Sequence, residues 1–322
     1  MADTKGKKHR IIAIEEHYSD TKLGFGFGGR GPAITDRLKD LGEWRIREMD
    51  EAGIDVQVLS MAGGDLYQMD PAKAVLLARE ANDRLYEAVK AHPTRFQAFA
   101  ALPTTDPKAA ADELDRCVTK MGFKGAMTHG LTQGRFLDTP DFWPLWERAA
   151  ALDAPIYMHP AQPHPTIVDV YYKDYVKTFP GIVSAPLGYT VETAVQGVRM
   201  VLSGVFDKFP NLKIILGHMG EGLPFLLWRI DHTLKNPGNS PIEFREIFCN
   251  HFWITTSGFF SDPALLCSMM EMGADRIIFS VDWPWGNNKE GVDWLDHASI
   301  SAEDKAKIYH GNVEKLLHMT RN

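Results

Sequence analysis

IIAIEEHYSD, residues 11–20, sets a short apolar run directly against two acids and a histidine. The run is of β type: it is too short for a helix and rich in β-branched residues, which pack well on a pleated surface. Polar groups at the end of a buried strand cost desolvation free energy unless something binds them. Alternate side chains of a strand share a face, so Glu15 and His17 point one way and Glu16 the other. The stretch therefore reads as a buried strand that delivers an acid and a histidine to one face. Glu16 is left needing its own partner, as a structural or supporting acid.

Working outward, the same rhythm recurs. Further apolar runs lie at VQVLS (56–60), FQAFAAL (96–102), FKGAMT (123–128), PIYMH (155–159), KIILGH (213–218), FWITTS (252–257) and IIFSVD (277–282). Helical stretches are expected near 36–53, 72–91, 107–121, 140–153, 191–209, 223–235, 263–274 and 302–318. Asp70-Pro71, Asp106-Pro107 and Asp262-Pro263 each place a capping acid before a proline at the first helical position, and Ser301 with Asp304 resembles a capping box. Val191, Ala194, Val195, Val198, Val201, Leu202 and Val205 predict one apolar stripe on the fifth helix. Parallel strands covered on both faces read as near-continuous apolar runs, and eight strand–helix alternations point to an α/β fold closed as a (β/α)8 TIM barrel. An open doubly wound sheet is the rival. A length of 322 residues suits a single barrel domain over 1–322. Long connections at 18–35 and 160–190 fall after the first and fifth strands, where such barrels build their sites.

With 44% hydrophobic residues the chain can bury a large core, while a net charge of −7 and the absence of a basic stripe argue against a nucleic-acid partner. No apolar run reaches the length of a membrane span, and MADTKGKKHR has no apolar segment behind it, so no secretory signal is read. Cys117, Cys249 and Cys267 are odd in number and lack CxxC spacing, which suits reduced thiols of a cytoplasmic protein.

Four strand ends now offer polar groups to one mouth: Glu15 and His17, His159, His218, and Asp282. Carboxylates with neutral imidazoles suit a divalent ion such as zinc or manganese. His218 and Glu221 lie three apart in a strand-to-helix turn, close enough for the acid to hold one ring nitrogen. The apolar flanks of Arg229 suggest a buried or half-buried guanidinium that would need an anion.

The strings EEHY, MHP, LGHMGEGLPFLLWRID, ITTSGFFS and FSVDWPW resemble the decarboxylating branch of the amidohydrolase superfamily, closest in pattern to γ-resorcylate (2,6-dihydroxybenzoate) and 2,3-dihydroxybenzoate decarboxylases. The likeness runs from about residue 11 to 318. It implies that Glu15, His17, His159 and Asp282 are metal ligands, that His218 and Glu221 are the catalytic histidine and its paired acid, and that Arg229 lies near the substrate. It also implies a homotetramer or homodimer. The chain departs from the family at three places where substrate groups would be read: Ala161-Gln162, with His164 beyond, instead of Arg-Asn; SMAGGD (60–65) instead of Ala-Pro; and His129 where asparagine is more usual. GFGFGG (24–29) satisfies a dinucleotide-loop pattern, but a polar stretch precedes it and Pro32 follows. A lid bearing Phe25 and Phe27 over the mouth fits better.

The expected function is metal-dependent, non-oxidative decarboxylation of an ortho-hydroxylated aromatic acid, with one divalent ion (zinc or manganese) and no redox cofactor. Asp282 is the expected proton donor, with His218–Glu221 orienting or relaying. The alternatives are a hydrolase or hydratase of the same superfamily, acting on a lactone, ester or unsaturated acid, and a barrel that only binds an aromatic ligand.

Overall fold

The structure is a computed structural model and describes residues 9–20, 22, 31–63, 65–238 and 240–319. The strands are β1 (Ile12–Tyr18), β2 (Val56–Met61), β3 (Phe96–Ala98), β4 (Ala100–Ala101), β5 (Ala126–His129), β6 (Ile156–His159), β7 (Ile214–Leu216), β8 (Phe252–Thr255) and β9 (Ile277–Ile278). Except for β3 and β4, neighbours in sequence pair in parallel. β3 and β4 are the two halves of one barrel strand broken at Phe99. The Phe99 N–H donates back to Leu59 in β2, whereas the Ala100 N–H donates forward to Gly125 ahead of β5.

The seam between first and last strands is closed by side chains. The Glu16 carboxylate accepts the Val281 N–H (2.9 Å), the Trp283 N–H (3.1 Å) and the Ser280 hydroxyl (3.0 Å). Ser280 Oγ accepts the Glu15 and Ile14 N–H groups at 2.6 and 3.3 Å, and the His17 N–H donates to Trp283 O at 2.8 Å. The chain thus forms the expected (β/α)8 barrel, with Glu16 as its closing acid. Burial pushes the Glu16 carboxyl up to about 8, against the Val281 N–H, the Ser280 hydroxyl and the Trp283 N–H, which all favour its charged form.

The core has two layers. Ile12, Ile14, Val56, Val58, Phe99, Met127, Tyr157, Ile215 and Ile278 fill the barrel. A larger cluster, including Ala13, Leu59, Phe96, Met158 and Leu216, lies between strands and helices. On β5 and β6 the period of two is strict, so His129 and His159 follow Met127 and Tyr157 onto the inner face. On β1 the period breaks. Its pairing advances three residues, Ala13 to Glu16, while β2 advances two, Gln57 to Leu59. This bulge lets Ile14 and Glu15 both face inward, and carries His17 in with Glu15.

The helices follow the strands with several departures from expectation. The segment 36–53 is two helices, Pro32–Lys39 and Glu43–Ala52. The expected helix over 191–209 is Gly188–Leu202 and Val205–Lys208, separated at Gly204, which adopts φ 77°. Its predicted stripe forms only part of the buried face: Val201 and Val205 are buried, whereas Val191, Val195 and Leu202 are exposed, and Glu192, Thr193, Gln196, Gly197 and Met200 are buried instead. Gly197 allows this, since a Cβ there would lie 2.8 Å from Leu223. Helices Phe244–His251 and Asn288–His297 lie in segments read as connections. No helix among the described residues is long and apolar enough to cross a membrane.

Candidate active site

The inner-face residues at the strand ends meet at one mouth. Donor atoms of Glu15, His17, His159 and Asp282 all lie within 4.8 Å of one another. Glu15, His17 and His159 are held from behind. Tyr157 OH donates to Glu15 Oε2, and Thr255 Oγ1 donates to the same oxygen at 3.3 Å. His17 Nδ1 meets Ser60 Oγ at 3.2 Å, and His159 Nδ1 donates to Pro160 O at 2.7 Å. The opposite atoms are left over: Glu15 Oε1, His17 Nε2 and Asp282 Oδ1 are buried without a hydrogen-bond partner. His17 Nε2 is 3.3 Å from Asp282 Oδ1, and His159 Nε2 is 3.2 Å from Glu15 Oε1. Supported imidazoles and carboxylates that turn unsatisfied atoms toward one point are the donor chemistry of a divalent ion. The residues fit the ion that the sequence suggested, and the fold and this donor set together define a mononuclear metal barrel.

Backbone geometry sets the second group. His218, Met219, Gly220, Glu221 and Gly222 all have positive φ, from 47° to 75°. Such a run is costly for residues with side chains and persists where its surroundings over-determine it. It brings His218 Nδ1 2.7 Å from Glu221 Oε1, so the imidazole donates there and directs Nε2 at the mouth. Nε2 lies 3.7 Å from Glu15 Oε1 and 3.8 Å from Asp282 Oδ2. Gly217 permits the approach: a Cβ there would sit 2.9 Å from Glu15 Oε2.

The electrostatics follow from this crowding. Burial alone would raise Glu15, yet His218, His159 and His17 hold it well below the usual carboxylate range. Burial likewise opposes ionisation of Asp282, and His17 and His218 hold it low. Burial disfavours a charged His218, but Glu221 and Glu15 raise it well above its ordinary value. Burial keeps His17 and His129 low, with His159 adding to the effect on both.

Other expected site residues divide. His129, at the end of β5, is buried beside the centre, its ring centroid 4.6 Å from that of His159. Arg229 is not the buried or half-buried guanidinium expected. Helix Leu223–Thr233 buries Leu223, Pro224 and Leu227, which turns Arg229 outward with the exposed Phe225 and Trp228. Phe25 and Phe27 lie outside the described residues. His164 is exposed and accepts the Thr166 N–H as a helix cap. Tyr157, Ser60, Thr255 and Tyr67 were not singled out from sequence. Tyr157 was legible, since it stands two residues before His159 on the same strand face.

Two clefts open beside the centre. One, of about 480 Å³, is lined by His218 and Asp282 with Tyr189, Met219, Pro224 and Phe259. The other, of about 680 Å³, is lined by Tyr67 and by His129, Ala161, Gln162 and His164, four positions where the chain departs from the family pattern.

The chain belongs to the Amidohydrolase family, whose sequence model matches residues 13–319. It is 41% identical to a γ-resorcylate decarboxylase of Polaromonas sp. (strain JS666), covering 96% of this chain and 99% of that one. A solved structure of a dihydroxybenzoic acid decarboxylase from Polaromonas sp. JS666, with bound manganese and the inhibitor 2-nitroresorcinol, superposes with TM-score 0.92 at 39% identity, covering 98% of both chains. A 2,6-dihydroxybenzoate decarboxylase complexed with 2,6-dihydroxybenzoate gives TM-score 0.90 at 38% identity, covering 97% of this chain and 100% of that one.

Proposed function

We propose that the chain is a metal-dependent carboxy-lyase that removes carbon dioxide, without oxidation, from an ortho-hydroxylated aromatic acid of the dihydroxybenzoate class. The observation that carries this reading is the convergence of unsatisfied Glu15 Oε1, His17 Nε2 and Asp282 Oδ1 beside a Glu221-held His218. Relatives that match almost the whole chain and are named for this reaction class support it.

Glu15, His17, His159 and Asp282 are the proposed ligands of one divalent ion, which supplies a Lewis acid that lowers the pKa of the substrate's phenol. The aromatic ring packs in the cleft of Tyr189, Met219 and Phe259, placing its carboxylated carbon toward Asp282 and His218. Glu221 accepts Nδ1–H of His218, so a protonated ring presents Nε2–H to Asp282. The 3.8 Å gap must tighten, as catalytic hydrogen bonds do when substrate binds. The proton passes from His218 to Asp282 and then to the ring carbon. The carbon–carboxylate bond breaks, its electron pair restores aromaticity, and carbon dioxide leaves. The balance requires neither oxidant nor reductant.

A cytoplasmic location is supported by three free cysteines, none of them in a disulfide. A homotetramer or homodimer is the proposed assembly, resting on the family resemblance. The test of the activity is bicarbonate release from hydroxybenzoates, dihydroxybenzoates and carboxyvanillate with manganese or zinc supplied. Reaction in deuterium oxide should leave deuterium on the carbon that lost its carboxylate. Ring opening or hydrolysis without carbon dioxide would replace this reading by the hydrolase one.

A further inference from the structure

We propose that His129 is a metal-facing imidazole that offers the centre a third imidazole as a choice of donor, biasing it toward nitrogen-favouring ions such as zinc and cobalt(II) over manganese. This rests on the four-donor centre above and adds a residue that the family resemblance places with substrate recognition.

The buried Nε2 of His129 and its closeness to His17 and His159 carry the argument. Tyr67 OH donates its single proton to Met127 O at 3.2 Å. With that proton directed at Met127 O, the contact between Tyr67 OH and His129 Nδ1, also 3.2 Å, takes its proton from the histidine. With the proton on Nδ1, Nε2 of the neutral ring bears a lone pair, and this atom is buried with no hydrogen-bond partner. His159 is fixed the same way, because Pro160 O can only accept from its Nδ1. His129 and His159 are register partners on adjacent parallel strands. A ligand atom of His129 lies within 4.8 Å of those of both His17 and His159. A cation placed among these atoms would satisfy the lone pair of His129 Nε2.

The three-histidine and four-donor sets share His17 and His159. Each shared ring has only its Nε2 to give, so two ions cannot both use the pair, and the sets describe one centre with a choice of donors. Imidazole suits zinc, cobalt and copper, whereas carboxylate suits manganese, and affinity of a common site rises along the series from manganese toward copper. A third imidazole widens that difference.

The experiment is chelator competition for zinc and manganese in wild type, His129→Asn and His159→Ala, with circular dichroism as a fold check. Zinc affinity of His129→Asn is expected to fall roughly 10- to 100-fold, the range for lost support of a metal site, with manganese changed by less than about threefold. Tyr67→Phe, which removes the acceptor for Nδ1–H, is expected to move the zinc-to-manganese ratio in the same direction by a smaller factor. Pulsed EPR of copper(II)-loaded wild type needs no variant to fold and counts coupled imidazoles: three are expected. Two imidazoles, or an unchanged zinc-to-manganese ratio in His129→Asn while His159→Ala loses both ions, overturns the role of His129 and leaves the four-donor centre standing. Retention of both ions by His159→Ala overturns the four-donor centre and this proposal with it.

Discussion

At the scale of single residues, the site separates holding an ion from moving a proton. His218 lies outside the four-donor set but at the same rim, held by Glu221 at 2.7 Å. His218→Asn is expected to keep its ion, measured after dialysis, and to lose turnover by roughly a hundred- to ten-thousand-fold, the usual scale of general acid–base catalysis. Activity within a factor of a few of wild type would remove His218 from the proton path. Asp282 has both duties. Asp282→Asn keeps one ligating oxygen but no transferable proton, so excess metal should restore occupancy without restoring decarboxylation. A metal-replete variant that decarboxylates at a near-normal rate would move the donor role to His218 alone. Most of these residues were legible as strand-end polar groups. Tyr67 and Ser60 were not, because no periodicity shows which hydroxyl will stand behind which imidazole.

At the scale of elements, the closing seam matters most. The alternation that placed Glu15 and His17 together was right, but alternation alone would also put Ile12 and Ile14 on the face of Glu16. The bulge between Ala13 and Glu16 resolves the conflict, and a bulge leaves no mark in composition or period. The fifth helix follows its apolar stripe only in part, for a related reason. Its valines trace a clean stripe, yet small Gly197 lets the opposite face approach Leu216 and Leu223, and packing overrode the pattern. Ser280 gives a test of the seam. Its Oγ accepts the buried Glu15 and Ile14 N–H groups and donates to Glu16. Ser280→Ala would leave the Glu15 and Ile14 N–H groups unpaired, at about 1–3 kcal/mol for a buried donor. Denaturant melts should show that loss, and because Glu15 hangs from the same backbone, metal affinity should weaken with it. An unchanged midpoint and unchanged affinity would mean that the seam does not depend on Ser280.

At the scale of the whole molecule, the barrel brings together groups from strand ends far apart in sequence, and the ion is their common partner. Without it the centre is not a bare charge cluster. Glu15 has three imidazoles around it, and His218 lies between Glu221, Glu15 and Asp282. The raised His218 offsets part of the charge of Glu15, Asp282 and Glu221, and the metal-free protein is expected to stay folded. The ion binds the folded barrel and has no assembled site in the unfolded chain, so it stabilises by mass action, about 2.7 kcal/mol at a hundred times its dissociation constant. For a chain of this size that corresponds to roughly 5 °C in Tm, taking about 2 °C per kcal/mol. Thermal melts after chelator dialysis should therefore fall by a few degrees, recover on adding manganese or zinc, and keep rising with the logarithm of free ion. His159→Ala, with a donor missing, should melt at one temperature whether or not metal is added. If chelation instead unfolds the wild type at room temperature, the histidines and carboxylates do not balance one another, and the ion is part of the core rather than a guest at its mouth.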